Sequence, residues 1–486
     1  MPKAIQRSEL LLSLRRGVGT PLRLQLERAL RAAIQTGRLP PGSPLPSTRV
    51  LASDLVLSRA LVVEAYEQLR AEGYVCSQPG SATIVAARPA HRVPAGSELD
   101  VASVPRFDFR PGRPDLSLFP RRAWLSALRR VLATAPAADL DYPDPRGAAP
   151  TRAALASYLN RSRATAAHPD RILLCTGFAQ GMRLLCETLR AGGVRRIAVE
   201  DPGHAYESAD VRASGLEMIP VPVDDRGICV ERLTKLEAGA VLVTPAHQYP
   251  TGAVLAPERR TALLAWADHT GGFVVEDDYD GEYRYDREPI GALQGLAPER
   301  VIYIGSASKI LAPALRAGWV LAPEPLIGRL SRFKLEADRG SAVLDQLALA
   351  EFIDSGSLDR HLRRARMFYR HRRELLAAAL RARLPDLRVR GVAAGLHLIL
   401  ELPGGMDEAT VIAEAGRRSV GIYGVRAYRS DPSSGPPALL LGFCRISEAD
   451  LAEGVKRLTE VLRSQQAAPS ARKRKGGEKY RHRTFR

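Results

Sequence analysis

Five short apolar runs constrain the fold of this chain more than any other feature. They are RILLCTG (171–177), RRIAVEDPG (195–203), AVLVTPA (240–246), GFVVEDDY (272–279) and RVIYIGSAS (300–308). Each is long enough for one strand, and enough chain separates it from the next for a helix or a crossover. Runs without polar alternation belong to sheets covered on both faces, and such sheets are mostly parallel. Residues 108–463 are therefore expected to form an α/β body. From about residue 340 this body turns helix-rich, with a small α+β unit after LRVRGVAAGLHLILELP.

Residues 1–86 have a different grammar. TPLRLQLERALRAAIQT (20–36) is expected to be an amphipathic helix with Leu22, Leu26, Ala29, Leu30, Ala33 and Ile34 on one stripe, Thr20 as N-cap and Pro21 in the first turn. A short helix is expected from Ser47 to about Leu55. After the tight connection VLS a third helix starts at Ser58 and ends near Glu72, before Gly73. YVCSQPGSATIVA then reads as two short strands around a Pro-Gly turn. The order helix, helix, helix, hairpin is that of an α+β winged helix-turn-helix. In such a unit the second helix of the motif enters the DNA major groove. Ser58 and Arg59 stand at the start of that helix, where Arg can reach guanine and Ser a phosphate. Arg49, beside Ser47 and Thr48, is placed for the backbone. A protein-docking bundle is the competing reading of the same helices.

Charge favours DNA. The chain of 486 residues carries a net charge of +18, of which +5 falls on residues 1–86 and +7 on residues 472–486. A basic head and tail on a nearly neutral centre suggest double-stranded nucleic acid as partner, or, for the tail, solubility alone. Residues 87–107, rich in Pro, Gly and Ser without periodicity, read as an interdomain linker, and 464–486 as a disordered basic tail. No apolar run approaches the length of a membrane helix, and no signal peptide is visible. Five scattered cysteines without CxxC spacing argue against disulfides and a zinc site, so no metal is expected and a cytoplasmic setting fits best.

The lysines carry the chemistry. The chain has 8 lysines against 63 arginines. Lys235, Lys334 and Lys456 lie in polar, helix-like strings and read as solvated surface residues. Lys309 follows the apolar strand VIYIG, among small residues. A desolvated lysine can form a Schiff base and arginine cannot; a phosphate-binding lysine is the other reading. The neighbouring motifs fit pyridoxal phosphate, which needs an amine, an anion at its ring nitrogen and donors for its phosphate. Asp277 suits the nitrogen and Tyr279 the ring oxygen, although the acids of VVEDDYDGEY also admit loop charge or metal binding. Gly177, Phe178 and Ala179 open a helix whose backbone amides can face a phosphate. Ser306, Ser308 and Arg316 bracket Lys309 and can hold the same group.

The string PLRLQLERALRAAIQTGRLPPGSPLPSTRVLASDLVLSRALVVEAYEQLRAEGYVCSQPGSATIV resembles the GntR family of bacterial regulators, which implies an operator-binding winged helix with Arg49 on the DNA backbone. It departs from that family at Leu61, where Thr is usual, and at Gly80-Ser81-Ala82, where the wing usually reads Gly-Ser-Gly. The body, with S-x-S-K-x-x-x-P-x-x-R-x-G from Ser306 to Gly318, resembles the fold-type I aminotransferases. That likeness implies Lys309 as Schiff-base lysine, Ser306 and Arg316 on the phosphate, Asp277 on the pyridine nitrogen and Tyr279 on the ring hydroxyl. It places Tyr142 of YPDPRG across a dimer interface at the partner's phosphate. It puts His204 where an aromatic ring stacks on the cofactor, and His247 of TPAHQYPTG near the ring oxygen. ALLLGFCRIS has leucines where the substrate-carboxylate arginine falls, leaving Arg426 as the candidate for effector, with Arg445 as its alternative. The whole architecture resembles the MocR type of regulator. It implies a homodimeric DNA-binding protein that senses pyridoxal phosphate or an amino compound through an aldimine. An active aminotransferase that also binds DNA is the rival.

Overall fold

The computed structural model describes residues 14–16, 19–77, 82–86, 105–204 and 211–467. The chain separates into two compact units, residues 1–102 and 103–486. Most of the segment read as a linker, the Gly80-Ser81 part of the wing and the basic tail from residue 468 lie outside the described residues.

In the first unit, α1 (Leu22–Gln35) packs on α3 (Arg59–Ala71), with α2 (Thr48–Asp54) between them in sequence, and β1 (Val75–Cys76) pairs antiparallel with β2 (Ile84–Val85). Leu26, Leu30 and Ala33 of α1 meet Leu51 of α2 and Val62, Ala65, Tyr66 and Leu69 of α3 in one core. The Ser47 and Ser58 hydroxyls each accept a first-turn amide, from Val50 and Leu61, and so cap α2 and α3. Thr20 does not cap α1. The helix starts one residue later with Pro21 at the N-cap, and the Thr20 carbonyl instead accepts from Gln25.

The second unit is built on an eight-stranded sheet. Its strands are β4 (Ile172–Cys175), β5 (Arg196–Asp201), β6 (Glu217–Asp224), β7 (Gly227–Ile228), β8 (Ala240–Val243), β9 (Phe273–Asp277), β10 (Val301–Ser306) and β11 (Gly318–Leu321). They lie in the order β4-β11-β10-β9-β8-β5-β6-β7. The five from β10 to β6 are parallel. β11 runs antiparallel to both β10 and β4, and β7 turns back on β6. Alternate residues feed cores on opposite faces: Tyr303 packs on one side, Ile302 and Ile304 on the other. This is the two-sided sheet that the apolar runs demand.

A smaller antiparallel sheet, in the order β12 (Val389–Arg390), β13 (His397–Glu401), β16 (Ala438–Gly442), β15 (Tyr423–Gly424), follows the long helix Ser357–Arg383. Its central strands bury Leu398, Leu400, Leu439 and Leu441 in the same core as Phe107 and Phe109. Phe107–Asp108 forms β3, parallel to β14 (Val420–Gly421). The last position assigned to the linker is thus a strand residue of the body. At the other end the helix Glu448–Ala467 runs past Ser464, where the tail was expected to begin. No helix among the described residues is long and apolar enough to cross a membrane.

Candidate functional site

The C-terminal ends of β5, β8, β9 and β10 lead into segments that line one cavity of about 570 Å³, the usual place for a ligand in an open α/β sheet. β9 delivers Asp277 and Tyr279. β10 delivers Ser306, Ser308 and Lys309. The turn after β4 delivers Phe178 and Ala179, and the segment after β5 delivers His204. Arg316 closes the hairpin between β10 and β11 and also lines the cavity.

The acidic string EDDYDGE is divided among separate tasks. Glu276 accepts the amides of Leu293 and Gln294. Asp278 is buried against Arg163, with Nε 2.6 Å from Oδ2, and takes the Tyr303 hydroxyl at 2.7 Å. Asp280 lies 3.0 Å from His247 Nδ1, and Glu282 accepts from Tyr158 at 2.9 Å. Asp277 alone of these acids faces the cavity, and no described group donates a hydrogen bond to its carboxylate. Burial first, then Asp278 and Asp280, push its carboxyl well above the usual range, with Lys309 opposing them. A carboxylate so placed asks for a cationic donor from a ligand. No cluster among the described residues has the side chains to hold a metal ion.

Lys309 Nζ donates to the Gly112 carbonyl. Burial pulls its proton affinity down, Asp280 and Asp277 pull it up, and Arg113 lowers it again. At the phosphate end, Gly177 takes a φ of +111°, a conformation that favours glycine, and its position faces the Arg316 guanidinium, which a Cβ there would touch at 3.4 Å. Gly318 passes so close that a Cβ would sit 2.7 Å from the Gly177 Cα. These two glycines let the Arg316 loop press against the turn that opens the helix Phe178–Ala191. The first amides of that helix have no intrahelical partner, and Arg316 has no carboxylate partner among the described residues.

Two expected residues stand elsewhere. His247 does not line the cavity but lies behind Tyr279. The tyrosine hydroxyl donates to the His247 carbonyl at 2.9 Å, and His247 Nδ1 lies 2.9 Å from that hydroxyl. With the hydroxyl proton taken, Nδ1–H is the donor, shared with Asp280. Arg426 is also outside the cavity, held by Asp407 at 2.9 Å. Its short 3-10 turn directs it to that carboxylate, the N-cap of the preceding helix Glu408–Arg417, and Arg445 is exposed. Tyr142 is 82% exposed on this chain. Lys334, read from sequence as a surface lysine, is completely buried and hydrogen-bonded to Gln180, Asp338 and Ser341. Its helix turns that one position inward while its polar neighbours stay outside.

Sequence reasoning missed part of the cavity wall, formed by Arg110, Arg113, Tyr249, Tyr423 and Tyr428. Arg110 Nε donates to the Tyr423 hydroxyl at 2.6 Å, and the Tyr249 hydroxyl to that of Tyr428 at 3.1 Å. Tyr249 sits in the TPAHQYPTG string, and Tyr423 and Tyr428 flank Arg426 in YGVRAYR, so these positions carried a recoverable signal. His204 lies beside it with ring centroids 5.0 Å apart. Burial and then Lys309 push the His204 pKa down to about 4. In the head, Arg49, Ser47, Ser58 and Arg59 are exposed and Thr48 half-buried, as a binding surface requires.

Comparison with known proteins agrees with this geometry. Residues 113–458 match the family Aminotransferase class I and II, and residues 22–85 match the Bacterial regulatory proteins, gntR family. The HTH-type pyridoxine biosynthesis transcriptional regulator PdxR of Corynebacterium glutamicum is 35% identical over 78% of this chain and 83% of its own. The probable rhizopine catabolism regulatory protein MocR of Rhizobium meliloti is 31% identical over 93% and 96%. Among solved structures, the kynurenine aminotransferase of Pyrococcus horikoshii superimposes with a TM-score of 0.69 at 25% identity, covering 76% of this chain and 93% of that one. With a gntR-family head on a body of the aminotransferase class I and II family, the chain belongs to the MocR type of HTH transcriptional regulators.

Proposed function

We propose that this regulator binds pyridoxal phosphate at Lys309, reads an amino compound there, and holds double-stranded operator DNA with its head. The observation that carries the reading is the division of charge in the cavity. Asp277, without a protein donor, serves one end of a ligand, while Arg316, Ser306, Ser308 and the helix start at Phe178 serve the other. That set fits a pyridinium at one pole and a phosphate at the other. A relative named for pyridoxine biosynthesis supports the same ligand class.

Bound there, pyridoxal phosphate supplies an aldehyde that combines reversibly with amines. The protein's own groups prepare the place. Burial and Arg113 weaken the hold of Lys309 on its proton, which favours the neutral, nucleophilic amine. Asp277 would hold the ring nitrogen by accepting its N–H. Tyr279, fixed by His247, meets the ring hydroxyl. His204 stays uncharged at neutral pH and offers a flat face. In a homodimer, the exposed Tyr142 extends to the partner's phosphate. In the head, Arg59 reads a base edge and Arg49 a phosphate. The effector shifts DNA binding by its differential affinity for two arrangements of the protein.

The test is the visible absorption spectrum of the full chain with pyridoxal phosphate, beside Lys309→Ala. A protein-bound band present in the parent and lost in the variant is expected, and its shift by amines then identifies the effector class. Absence of the band from both proteins overturns the reading. The presence of Lys309 and Asp277 in one cavity also supports a second reading, amino-group transfer to a 2-oxo acid, which steady turnover abolished by Lys309→Ala would establish.

A further inference from the structure

In a chain that uses arginine almost everywhere, one lysine among the described residues is completely buried outside the ligand cavity. Lys334, on the helix Glu324–Asp338, spends all three of its protons inside the protein. Nζ donates to Gln180 Oε1 at 2.9 Å, to Asp338 Oδ2 at 2.5 Å and to Ser341 Oγ at 2.8 Å. A buried ammonium is costly unless it is paired and fully hydrogen-bonded, and this one is. A guanidinium carries five donors in a planar fork and does not fit three acceptors around a point.

What the lysine holds is informative. Gln180 Oε1 also accepts from Thr176, from its amide at 2.8 Å and its hydroxyl at 3.2 Å. The Gln180 amide group in turn donates to Asp338 at 2.7 Å. Thr176 immediately precedes Gly177, the turn residue against which Arg316 packs. On its other side Lys334 holds Ser341, whose carbonyl accepts from Gln346, and Gln346 accepts the amide of Ala148. Gly340, between these partners, lies against Pro143, where a Cβ would come within 2.6 Å of its ring. One buried cation therefore fastens the turn at Thr176–Gly177 to the segment 142–148.

We propose that Lys334 is a positioning residue for the phosphate end of the cavity. It fixes the backbone of the Thr176–Gly177 turn without touching the ligand, and registers that turn against the segment that carries Tyr142. The inference rests on the cofactor reading above and adds a division of labour to it. Lys309 serves the aldehyde end, and Lys334 acts through Gln180 on the phosphate end alone.

The experiment compares two probes, pyridoxal 5′-phosphate and pyridoxal without the phosphate, titrated into the full chain and followed by the absorption band. The variants are Lys334→Met, which keeps the length and removes the charge, and Gln180→Leu, which cuts the link to Thr176 but leaves Lys334 paired with Asp338. Losing a charge-assisted hydrogen bond in this second layer is expected to weaken pyridoxal phosphate about 10- to 100-fold. Pyridoxal affinity is expected to stay at the parent value in both variants. A purely structural lysine would lower the two affinities by the same factor, or neither, and either result overturns the proposal. Should Lys334→Met fail to fold, Gln180→Leu decides the question alone. A parent protein that binds neither probe overturns the cofactor reading itself, and this inference with it.

Discussion

Arg163 and Asp278 provide a sharp check on how the acidic string is divided. Both side chains are buried, at 0% and 1% exposure, in a two-point ion pair. Replacing Arg163 by Met leaves Asp278 with the Tyr303 hydroxyl as its one remaining side-chain partner, beside Glu276, Asp277 and Glu282. Stranding one half of a buried pair costs about 3–5 kcal/mol. Across the roughly 380 residues of the body, an unfolding entropy of about 2.1 cal/mol/K per residue converts this into a midpoint lowered by about 4–6 °C. The double variant R163M/D278N removes both charges together and is expected to regain most of that loss. Asp277→Asn provides the contrast. That carboxyl has no protein donor and is already driven toward its neutral form by burial. The variant is expected to keep or raise the midpoint while pyridoxal phosphate affinity falls. Thermal unfolding followed by circular dichroism on the four proteins reads all of this. An R163M midpoint within 1 °C of the parent, on the scale just derived, would refute the reasoning. So would a double variant no more stable than R163M.

Arg49→Ala and Arg59→Ala are each expected to weaken binding to an operator fragment, and the Arg59 change to relax base preference at one position by about 1–3 kcal/mol; unchanged binding in both, measured by fluorescence anisotropy at fixed salt, would remove DNA contact from these residues. His397 is held by burial and by His247 at a pKa of about 3, against an ordinary value of 6.5. The unfolded chain therefore binds more protons at this position from about pH 6.5 down to 3, and stability falls as pH drops through that window. His397→Phe is expected to flatten the fall, as read by urea unfolding at pH 4.5 and 7.5. An unchanged slope would show that His397 titrates normally.

Much of this protein was legible because its signals are local. The caps at Ser47 and Ser58, the stripe Val62, Ala65, Tyr66 and Leu69, and the five apolar runs each lie within a few residues of the structure they specify. So does the string from Ser306 to Gly318, since one hairpin carries Ser306, Ser308, Lys309 and Arg316 to the cavity. The wall formed by Arg110, Arg113, Tyr423 and Tyr428 was not legible. Arg110 meets Tyr423 across a sequence gap of 313 residues, and no periodicity announces that meeting. Lys334 was misread for the same reason: its helix looks polar, while two of its three acceptors lie in other elements. His247 and Arg426 were expected at the ligand and do not line the cavity. A string match gives the chain position but not which neighbour, Tyr279 or Asp407, takes the side chain first.

The antiparallel course of β11 has a mechanical consequence. Ser306 pairs with Gly318 across the ladder, so residues 307–317 form a loop bolted at both ends to central strands. Lys309 and Arg316 thus ride on a fixed post, and neither can shift without straining two ladders. The opposite jaw is made differently. Arg110 and Arg113 follow a two-residue strand, and Tyr423 and Tyr428 come from the edge of the smaller sheet. The cavity is a caliper with one anchored jaw. The size of what it holds is registered on the jaw built from short segments, which meets the anchored one where Lys309 donates to the Gly112 carbonyl.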